Sequence, residues 1–326
     1  MRCFMLGSGS YAAALASVLE RKGHQVALWC RREERALEIA AGRHSSLPEL
    51  KLSPRVFPVR AGEPLSQDFD LAISVVPTQK LRGILEEHGR ELPRQIPWVS
   101  ASKGVELGTH KLPSQILVDH ELSDAPAVLS GPSHAEEVAR EVPTAVVLAH
   151  PQSGHGRQIQ KWLSGEAFRV YLNNDPIGVE WGGALKNVIA LASGIAIGWG
   201  FGDNTLAALI TRGAVEMARL GIHLGGQGET FNGLSGIGDL IVTCFSEHSR
   251  NRHVGVRIGR GEDPQEVLAG MVQVVEGDHT SRAVWEISSS RGIEMPITEE
   301  VHLILHEEKN VQDGIQALLN RSLKEE

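Results

Sequence analysis

The chain has 326 residues, of which 41% are hydrophobic and 22% are charged, and its formal net charge is −8. A chain of this length and composition can fold as two globular domains with a sizeable core. The acidic balance argues against a nucleic-acid surface, which usually shows a basic domain, but it still allows a local basic pocket for an anionic ligand.

The cysteines and the apolar segments indicate the compartment. Cys3, Cys30 and Cys244 lie too far apart for a disulfide framework or a zinc site, which is typical of a reducing environment. The segment "MRCFMLGSGS" lacks the long apolar core of a signal peptide, and no run reaches about 18 apolar residues. We therefore expect a cytoplasmic protein with no membrane span, no nucleic-acid partner and no bound metal.

Strands alternate with helices in the first half of the chain. The run "RCFMLGSGS" predicts a first strand, "SYAAALASVLERKG" predicts a helix that ends at Gly23, and "HQVALWC" predicts a second strand. Later apolar runs with the composition of strands are "DLAISVVP", "PWVSASKG", "APAVLSGP", "PTAVVLAH" and "FRVYLNN". Several are apolar on both faces, as in a parallel sheet covered by helices. The pattern predicts a doubly wound α/β domain.

The second half of the chain has a different pattern. From about Asn173 onward no run predicts a strand. The runs with helical spacing are "DPIGVEWGGALKNVIALASGIAIG", "NTLAALITRGAVEMARLG" and "SRAVWEISSSRG". We predict an α/β domain over residues 1–172 and an all-α domain over residues 173–326.

A glycine motif follows the first predicted strand. "GSGSYA" gives Gly7-x-Gly9-x-x-Ala12 at the start of a predicted helix, the context in which this pattern indicates a Rossmann-type dinucleotide site. Gly7 permits a tight turn, Gly9 lets the backbone approach a pyrophosphate, and the helix N-terminus offers free N–H groups to the anion. The alternative is a glycine turn that binds nothing.

The end of the second predicted strand bears on the choice of cofactor. "LWCRR" places Arg31 and Arg32 where an NAD site usually has an acidic residue. An arginine can bind the 2′-phosphate of NADP through paired N–H donors. We predict a preference for NADPH, with NAD as the other cofactor to be tested. The alternative is that both arginines only begin a helix and pair with Glu33 and Glu34.

Lys186 lies in the middle of an otherwise apolar helix. Its neighbours at three- and four-residue spacing include Gly182 and Gly183, so this face is bare and another segment must pack close to it. We expect Lys186 to project into a site beside Asn187. Burial and a neighbouring cation could lower its pKa from ~10.4 to ~7–8, which suits a proton donor and acceptor near neutrality. The alternative is a lysine whose ammonium reaches solvent.

Polar groups suited to a phosphate follow in "GLSGIGDLIVTCFSEHSRNR". This stretch contains Asp239 and Thr243, and its run Ser249, Arg250, Asn251 offers a hydroxyl, a guanidinium and an amide in succession. Such groups form charge-assisted hydrogen bonds with a phosphate dianion. The alternative is a solvated polar loop.

Two loops after predicted strands add further candidates. "SASKG" contributes Lys103, and "SGPSHAEEVA" contributes Gly131, Ser133 and Ala135. Loops at the carboxyl ends of strands line the cofactor crevice in sheets of this kind. We therefore expect these residues to face the ligands.

These motifs occur together, and in order, in one enzyme family. The chain resembles the NAD(P)-dependent glycerol-3-phosphate dehydrogenases of the bacterial type. The matching segments are "GSGSYAAALA", "ASKGVE", "LSGPSHAEEV", "PTAVVLA", "GVEWGGALKNVIALASG", "AALITRGAVEMARLG", "GLSGIGDLIVTCFSEHSRNR" and "VVEG", with "MPITEEV" as an extension. Ala12 and His134 depart from the family, which usually has a glycine and an aromatic residue there, and "HSSLPELKLSP" follows it only loosely.

The resemblance implies an activity and a set of contacts. The enzyme would reversibly reduce dihydroxyacetone phosphate to sn-glycerol 3-phosphate with NADPH or NADH, supply glycerophospholipid synthesis and form a homodimer. Lys186 would donate and accept the proton. The implied substrate contacts are Lys103, Gly131, Ser133, Lys186, Asp239, Ser249, Arg250 and Asn251. Besides Gly7 and Gly9, the implied cofactor contacts are Ser10, Tyr11, Arg31, Lys103, Ala135, Arg250, Val274 and Glu276.

Charge development suggests how these residues would act. Lys186 would stabilise the carbonyl oxygen that becomes negative, with Asn187 and Asp239 orienting the ammonium. Arg250 and Asn251 would hold the substrate phosphate.

Two other functions stay open from the residues. One is a related two-domain dehydrogenase that acts on a β-hydroxy acid or an opine, which would have no need for the "SRNR" phosphate cluster. The other is a non-catalytic NADP-binding redox sensor, which would have no need for Lys186, Asp239 and Arg250 together.

Overall fold

The computed structural model describes residues 1–65 and 68–321. The chain divides into two compact units. The first contains Met1–Lys103 and Leu112–Glu180, and the second contains Gly104–Lys111 and the chain from Trp181 onward. The division of function between residues 1–172 and 173–326 stays a prediction.

An eight-stranded sheet forms the centre of the first unit. Its strands are β1 (Arg2–Leu6), β2 (Gln25–Cys30), β3 (Val56–Arg60), β4 (Leu71–Ser74), β5 (Trp98–Ser100), β6 (Ala127–Ser130), β7 (Thr144–Ala149) and β8 (Phe168–Asn173). Their spatial order is β3-β2-β1-β4-β5-β6-β7-β8. The order reverses next to β1, as in doubly wound Rossmann-type sheets, and this confirms the predicted fold class.

One strand pair differs from the predicted parallel sheet. β7 runs antiparallel to β6, with Val128 opposite Ala149, while β7 and β8 are parallel. The sheet is therefore mixed, and the expectation of an all-parallel sheet is wrong at this pair. A strand that is apolar on both faces has the same residue pattern in either direction, so the pattern alone does not set the direction.

Strand β3 was not predicted from the sequence. It pairs only with β2, so it lies at the edge of the sheet, and Pro58 stands in its middle opposite Leu28. Proline interrupts a strand pattern, but an edge strand tolerates it because one side of the strand needs no ladder hydrogen bond.

Helices cover the sheet of the first unit and bury its apolar faces. They are α1 (Ser10–Arg21), α2 (Glu33–Ala40), α3 (Thr78–His88), α4 (Pro113–Asp119), α5 (Ala135–Ala139) and α6 (Ser153–Leu163). Alternate residues of β1 enter two different buried clusters: Cys3 and Met5 enter one, and Phe4 and Leu6 enter the other. This alternation places one cluster on each face of the sheet.

Within the described residues, the regular elements of the second unit are all helices. Its helices are α7 (Pro176–Trp199), of which Pro176–Glu180 belongs to the first unit, α8 (Asp203–His223), α9 (Gly228–Phe231), α10 (Asp239–Phe245), α11 (Arg250–Gly259), α12 (Pro264–Ala269), α13 (Glu276–Arg291), α14 (Pro296–His306) and α15 (Val311–Leu319). A π-helical turn over Leu234–Gly238 precedes α10. This agrees with the predicted all-α second half.

Helix α7 is apolar around most of its circumference. By length and composition it could cross a membrane, but 89% of its most apolar window is buried within the protein. A helix that is hydrophobic on all sides is expected in the core of a large domain. The burial of α7 therefore accounts for its composition.

Candidate active site

The glycine motif of the first unit has the geometry of an anion cradle. β1 ends at Leu6, and Gly7 adopts a φ of +122°, which L side chains rarely adopt. Gly9 is the N-cap of α1 and has no side chain with which to cap the first N–H groups of the helix. A Cβ on Gly9 would meet no atom within 4 Å, so there is open space beside the helix N-terminus. The cradle therefore fits a pyrophosphate.

Arg31 and Arg32 directly follow β2 and are exposed. Within residues 1–65 and 68–321 neither guanidinium makes a hydrogen bond or an ion pair, and Glu33 instead pairs with Arg60 at 2.5 Å. Arg32 is also the N-cap residue of α2. Arg32 thus precedes the first residue of α2, Arg31 lies one position earlier, and Glu33 pairs with neither of them.

Four of the predicted ligand contacts of the first unit form one hydrogen-bonded chain. Tyr11 Oη lies 3.0 Å from Ser133 Oγ, and Ser133 Oγ donates to the Gly131 carbonyl at 3.0 Å. Lys103 Nζ donates to the same carbonyl at 3.2 Å. Gly131 has a φ of +135°, and a Cβ there would lie 3.0 Å from Val146 Cα, so the position requires glycine.

The remaining predicted contacts of the first unit, Ser10 and Ala135, lie close in sequence to Tyr11 and Ser133. Ser10 begins α1, and Ala135 begins α5 with His134 as its N-cap residue. His134 makes no side-chain cap hydrogen bond, so it does not serve as a polar cap in place of the family's usual aromatic residue.

Lys186 is buried in the second unit and bonded on two sides. Its side chain is 7% exposed, and Nζ forms a very short ion pair with Oδ1 of Asp239 and donates to Oγ1 of Thr243 at 2.8 Å. The Asp239 side chain is 1% exposed. The alternative of a lysine whose ammonium reaches solvent is therefore wrong.

The bare face of α7 explains how Asp239 reaches Lys186. A Cβ on Gly182 would lie 2.6 Å from the Ser235 carbonyl oxygen and 3.5 Å from Gly236 Cα. The π-helical turn thus packs directly on α7, as the glycines predicted, and Asp239 begins α10 immediately after it. The close backbone contact requires glycine and places the carboxylate beside the ammonium.

The charge against the Lys186 ammonium is the Asp239 carboxylate, as expected for a residue that orients this group. The neighbouring cation that was expected to lower the pKa of Lys186 stays a prediction. A carboxylate favours the protonated form, which is the form that can donate a proton. Burial raises the pKa of the nearby Cys244 thiol to about 11, so this thiol stays neutral and is no nucleophile.

Thr243 is the functional candidate that sequence reasoning named but did not select. Its hydroxyl accepts from Lys186 and donates to the Asp239 carbonyl at 2.6 Å. Residues 239 and 243 are four apart in α10, so they share a helix face. This four-residue spacing from Asp239 was the feature of the sequence that could have identified Thr243 as a partner of Lys186.

The side chains of Asn187 and Asn251 form a hydrogen bond with each other. Asn251 Nδ2 donates to Asn187 Oδ1 at 2.9 Å, and Asn251 Oδ1 accepts from the Gly277 N–H at 3.0 Å. Within the described chain the Asn187 amide contacts Asn251 and the Gly183 carbonyl and does not orient the ammonium of Lys186. The prediction for Asn187 was wrong because its helix face turns toward α11.

The other predicted contacts of the second unit lie near the N-termini of α11 and α13. Ser249 is the N-cap of α11, and its Oγ accepts from the Arg252 N–H at 3.2 Å. Arg250 Nη1 donates to the Val274 carbonyl at 2.7 Å, and Glu276 begins α13 two residues later. Arg250, Val274 and Glu276 are thus brought together. The described residues contain no cluster that could hold a metal ion.

Comparison with known proteins identifies relatives along nearly the whole chain. Family models for the N-terminus and the C-terminus of NAD-dependent glycerol-3-phosphate dehydrogenase match residues 3–155 and 175–316. A glycerol-3-phosphate dehydrogenase (NAD(P)+) of Moorella thermoacetica is 47% identical, covering 97% of this chain and 95% of the relative. One from Salinibacter ruber is 45% identical, covering 99% and 96%.

A solved structure agrees with these matches. The crystal structure of glycerol-3-phosphate dehydrogenase from Coxiella burnetii has a TM-score of 0.92 and 36% identity, and it covers 98% of this chain and 99% of its own. Since both family models match and full-length relatives share 45% of residues or more, the chain belongs to the NAD-dependent glycerol-3-phosphate dehydrogenase family.

Proposed function

We propose that this protein catalyses the reversible NAD(P)H-dependent reduction of dihydroxyacetone phosphate to sn-glycerol 3-phosphate, which supplies glycerophospholipid synthesis. The observation that carries the proposal is the buried ion pair between Lys186 and Asp239. Packing alone does not require a charged pair here, since apolar side chains would fill the same space at a lower desolvation cost. A buried ammonium held in one place is suited to a carbonyl oxygen that gains negative charge.

Lys186 is the proton donor in the proposed mechanism. A nicotinamide cofactor, when bound, would supply the hydride that reduces the ketone carbon, so that the electron pair of the carbonyl would pass to its oxygen. Lys186 stabilises this oxygen and transfers a proton from Nζ to it. The Asp239 carboxylate keeps the ammonium protonated before the transfer, and Thr243 fixes the position of Nζ.

The substrate phosphate is assigned mainly to Arg250. Arg250 is an exposed residue whose Nη1 donates to the Val274 carbonyl, and charge-assisted hydrogen bonds to a phosphate contribute ~1.5–3 kcal/mol each. Ser249, Asn251 and Lys103 are proposed as further substrate contacts. The hydrogen bonds that Asn251 already makes give it a second task, that of holding α11 against α7.

The cofactor is assigned to the glycine cradle of the first unit. The N–H groups at the start of α1 would hold the pyrophosphate, and Arg31 would bind the 2′-phosphate of NADPH. Because Arg31 lacks an internal partner in the described chain, it needs to break no ion pair when it does so. We therefore propose a preference for NADPH over NADH.

We also propose that the protein is a cytoplasmic homodimer. Support comes from the family resemblance and from exposed apolar side chains of the second unit, among them Trp199 at 43% and Phe245 at 52% exposure. Sedimentation velocity at several protein concentrations would measure the oligomeric state. A single monomeric species at micromolar concentration would contradict a dimer.

The first experiment follows the absorbance of the reduced nicotinamide with dihydroxyacetone phosphate, in separate reactions with NADPH and NADH. Rapid loss of absorbance with NADPH supports both the reaction and the cofactor preference. Faster loss with NADH keeps the reaction and contradicts the preference. No loss with either cofactor contradicts the proposed function, and β-hydroxy acids would then be tested in the oxidative direction with NADP+.

A further inference from the structure

Helices α7 and α11 touch through their backbones at four glycines. A Cβ on Gly194 would collide with the Arg252 carbonyl oxygen and lie 2.8 Å from Gly255 Cα. A Cβ on Gly198 would collide with the Val256 carbonyl oxygen and lie 3.0 Å from Gly259 Cα. The contact is reciprocal, because added Cβ atoms on Gly255 and Gly259 would lie 2.9 and 3.0 Å from Cα of Gly194 and Gly198.

The glycines follow the spacing of one helix face. Gly194 and Gly198 are four residues apart on α7, and so are Gly255 and Gly259 on α11. Small residues at this spacing let two helices approach more closely than side chains would permit. The pairing of Gly194 with Gly255 and of Gly198 with Gly259 also fixes how the two helices are aligned along their axes.

The same face continues into the asparagine pair. Asn187 lies seven residues before Gly194, and Asn251 lies four residues before Gly255, so both asparagines extend the glycine faces toward the N-termini of their helices. Their side chains meet in the 2.9 Å hydrogen bond between Asn251 Nδ2 and Asn187 Oδ1. Both residues are buried, with 6% and 8% exposure.

A third helix joins at this point. The Gly277 N–H, in the first turn of α13, donates to Asn251 Oδ1 at 3.0 Å. A Cβ on Gly277 would lie 2.6 Å from the Asn187 carbonyl oxygen and 2.7 Å from Asn251 Oδ1, so this approach also needs glycine. Asn187, Asn251 and Gly277 form a junction of three helices, hereafter the asparagine junction.

Each member of the asparagine junction is the chain neighbour of a residue with a proposed ligand role. Asn187 follows Lys186, Asn251 follows Arg250, and Gly277 follows Glu276. We propose that the asparagine junction, aligned by the four glycines, is a positioning device that sets the distance between the proton donor Lys186 and the phosphate-binding Arg250. The proposal rests on the function proposed above.

The distance between Lys186 and Arg250 matters because the two residues act on opposite ends of one small substrate. A shift of α11 against α7 would move the phosphate away from the carbon that must face the hydride. A displacement of about 1 Å at a reacting centre can cost about a hundredfold in rate. Close helix contact without side chains leaves little freedom for such a shift.

The test uses Gly259→Ala, with Gly83→Ala as its matched control. Gly259 lies two turns, or about 12 Å, along α11 from Asn251, so the variant changes no group assigned to the ligands. Gly83 lies within α3, where a Cβ would meet no atom within 4 Å. We expect Gly259→Ala to lower kcat/KM for dihydroxyacetone phosphate about 10–100-fold, measured well below its Tm, while Gly83→Ala changes it less than about twofold.

A purely structural role would give a different result. Gly259→Ala would then lower the Tm and leave kcat/KM of the folded protein unchanged, which would overturn the proposal. Should Gly259→Ala fail to fold, Asn187→Leu replaces it, since that change removes the hydrogen bond to Asn251 while keeping the number and branching of the side-chain heavy atoms. A folded Asn187→Leu protein with normal kcat and KM would equally overturn the proposal.

A crystal structure of Gly259→Ala separates this proposal from the proposed function. The positioning role requires the 2.9 Å contact between Asn187 and Asn251 to lengthen beyond hydrogen-bonding distance. A lengthened contact between Asn187 and Asn251 supports the positioning role. If the wild-type protein does not reduce dihydroxyacetone phosphate, that absence of activity contradicts only the proposed function. An unchanged contact overturns the role whatever the activity.

Discussion

The two units hold their candidate residues by different means. In the first unit the cradle is backbone and open space, with Gly9 free of neighbours and Arg31 exposed at the end of a strand. In the second unit the centre is a set of buried side chains, and Lys186 is held by Asp239 and Thr243. The first arrangement suits a large ligand that brings its own chemistry, whereas the second suits a proton that must leave from one fixed atom.

The largest expected effect belongs to Lys186. We expect Lys186→Ala to lose on the order of a thousandfold or more in kcat, because it removes both the proton donor and the charge that stabilises the oxyanion. NADPH binding, measured by the fluorescence of the cofactor, should change little. Lys161→Ala, which alters an exposed lysine of α6, serves as the control. Near-normal turnover of Lys186→Ala would show that another group is the acid.

The comparison between the units also explains what the sequence could predict. The cradle was predictable because a strand, two glycines and a helix are adjacent in the chain, and their geometry is local. Lys186 could be selected because a charged residue on a face with Gly182 and Gly183 is unusual.

The contact of Lys186 with Thr243 and the contact of Asn187 with Asn251 could not be derived from the sequence in the same way. They depend on which segments pack together across more than 50 residues of chain. Helical periodicity indicates which face is buried, but it does not indicate what covers that face. The direction of β7 and the edge strand β3 are further features that only the assembled sheet determines.

Asp239 should have the next largest effect. We expect Asp239→Asn to lower kcat about a hundredfold, because a buried ammonium without its carboxylate is less readily protonated at neutral pH. Removal of one partner of a buried ion pair also costs roughly 3–5 kcal/mol of stability, so urea unfolding should be measured alongside kcat.

Thr243→Val is the graded comparison for Asp239→Asn. It removes a neutral hydrogen bond to Lys186, so its loss in kcat should be nearer tenfold. Equal effects of the two variants would contradict the leading role of the carboxylate.

Two buried glutamates, Glu180 and Glu216, lead us to predict that the stability of the protein depends on pH. Burial raises the pKa of Glu180 in the first unit and of Glu216 in the second to about 7, although hydrogen bonds from Ser114, Ser100 and the start of α14 oppose the shift. Both groups therefore hold protons in the folded chain that the unfolded chain releases near pH 4.5. The free energy of unfolding should fall as pH rises from about 4.5 to 7 and level off above.

Glu180→Gln and Glu216→Gln distinguish the contributions of the two units. Each variant should remove up to about 3 kcal/mol of this pH dependence, and the double variant should remove both parts. The measurement is urea unfolding at several pH values between 4.5 and 8. A wild-type chain whose stability rises over this range would contradict the raised pKa values.

In the exposed region of the first unit we expect an effect on cofactor binding and little effect on turnover. Arg31→Ala should raise the KM for NADPH about 10–100-fold, which corresponds to the loss of one or two charge-assisted hydrogen bonds to the 2′-phosphate. The KM for NADH should stay nearly constant, because NADH lacks that phosphate, and kcat should change little. Arg90→Ala, which removes another exposed arginine of the same unit, controls for net charge. An equal rise in both KM values would indicate that Arg31 binds a part common to the two cofactors, and the preference would then have to come from Arg32.

The contrast between Arg31 and Lys186 is the decisive point. An exposed residue that only binds should alter KM, whereas a buried residue that acts on the reacting atoms should alter kcat.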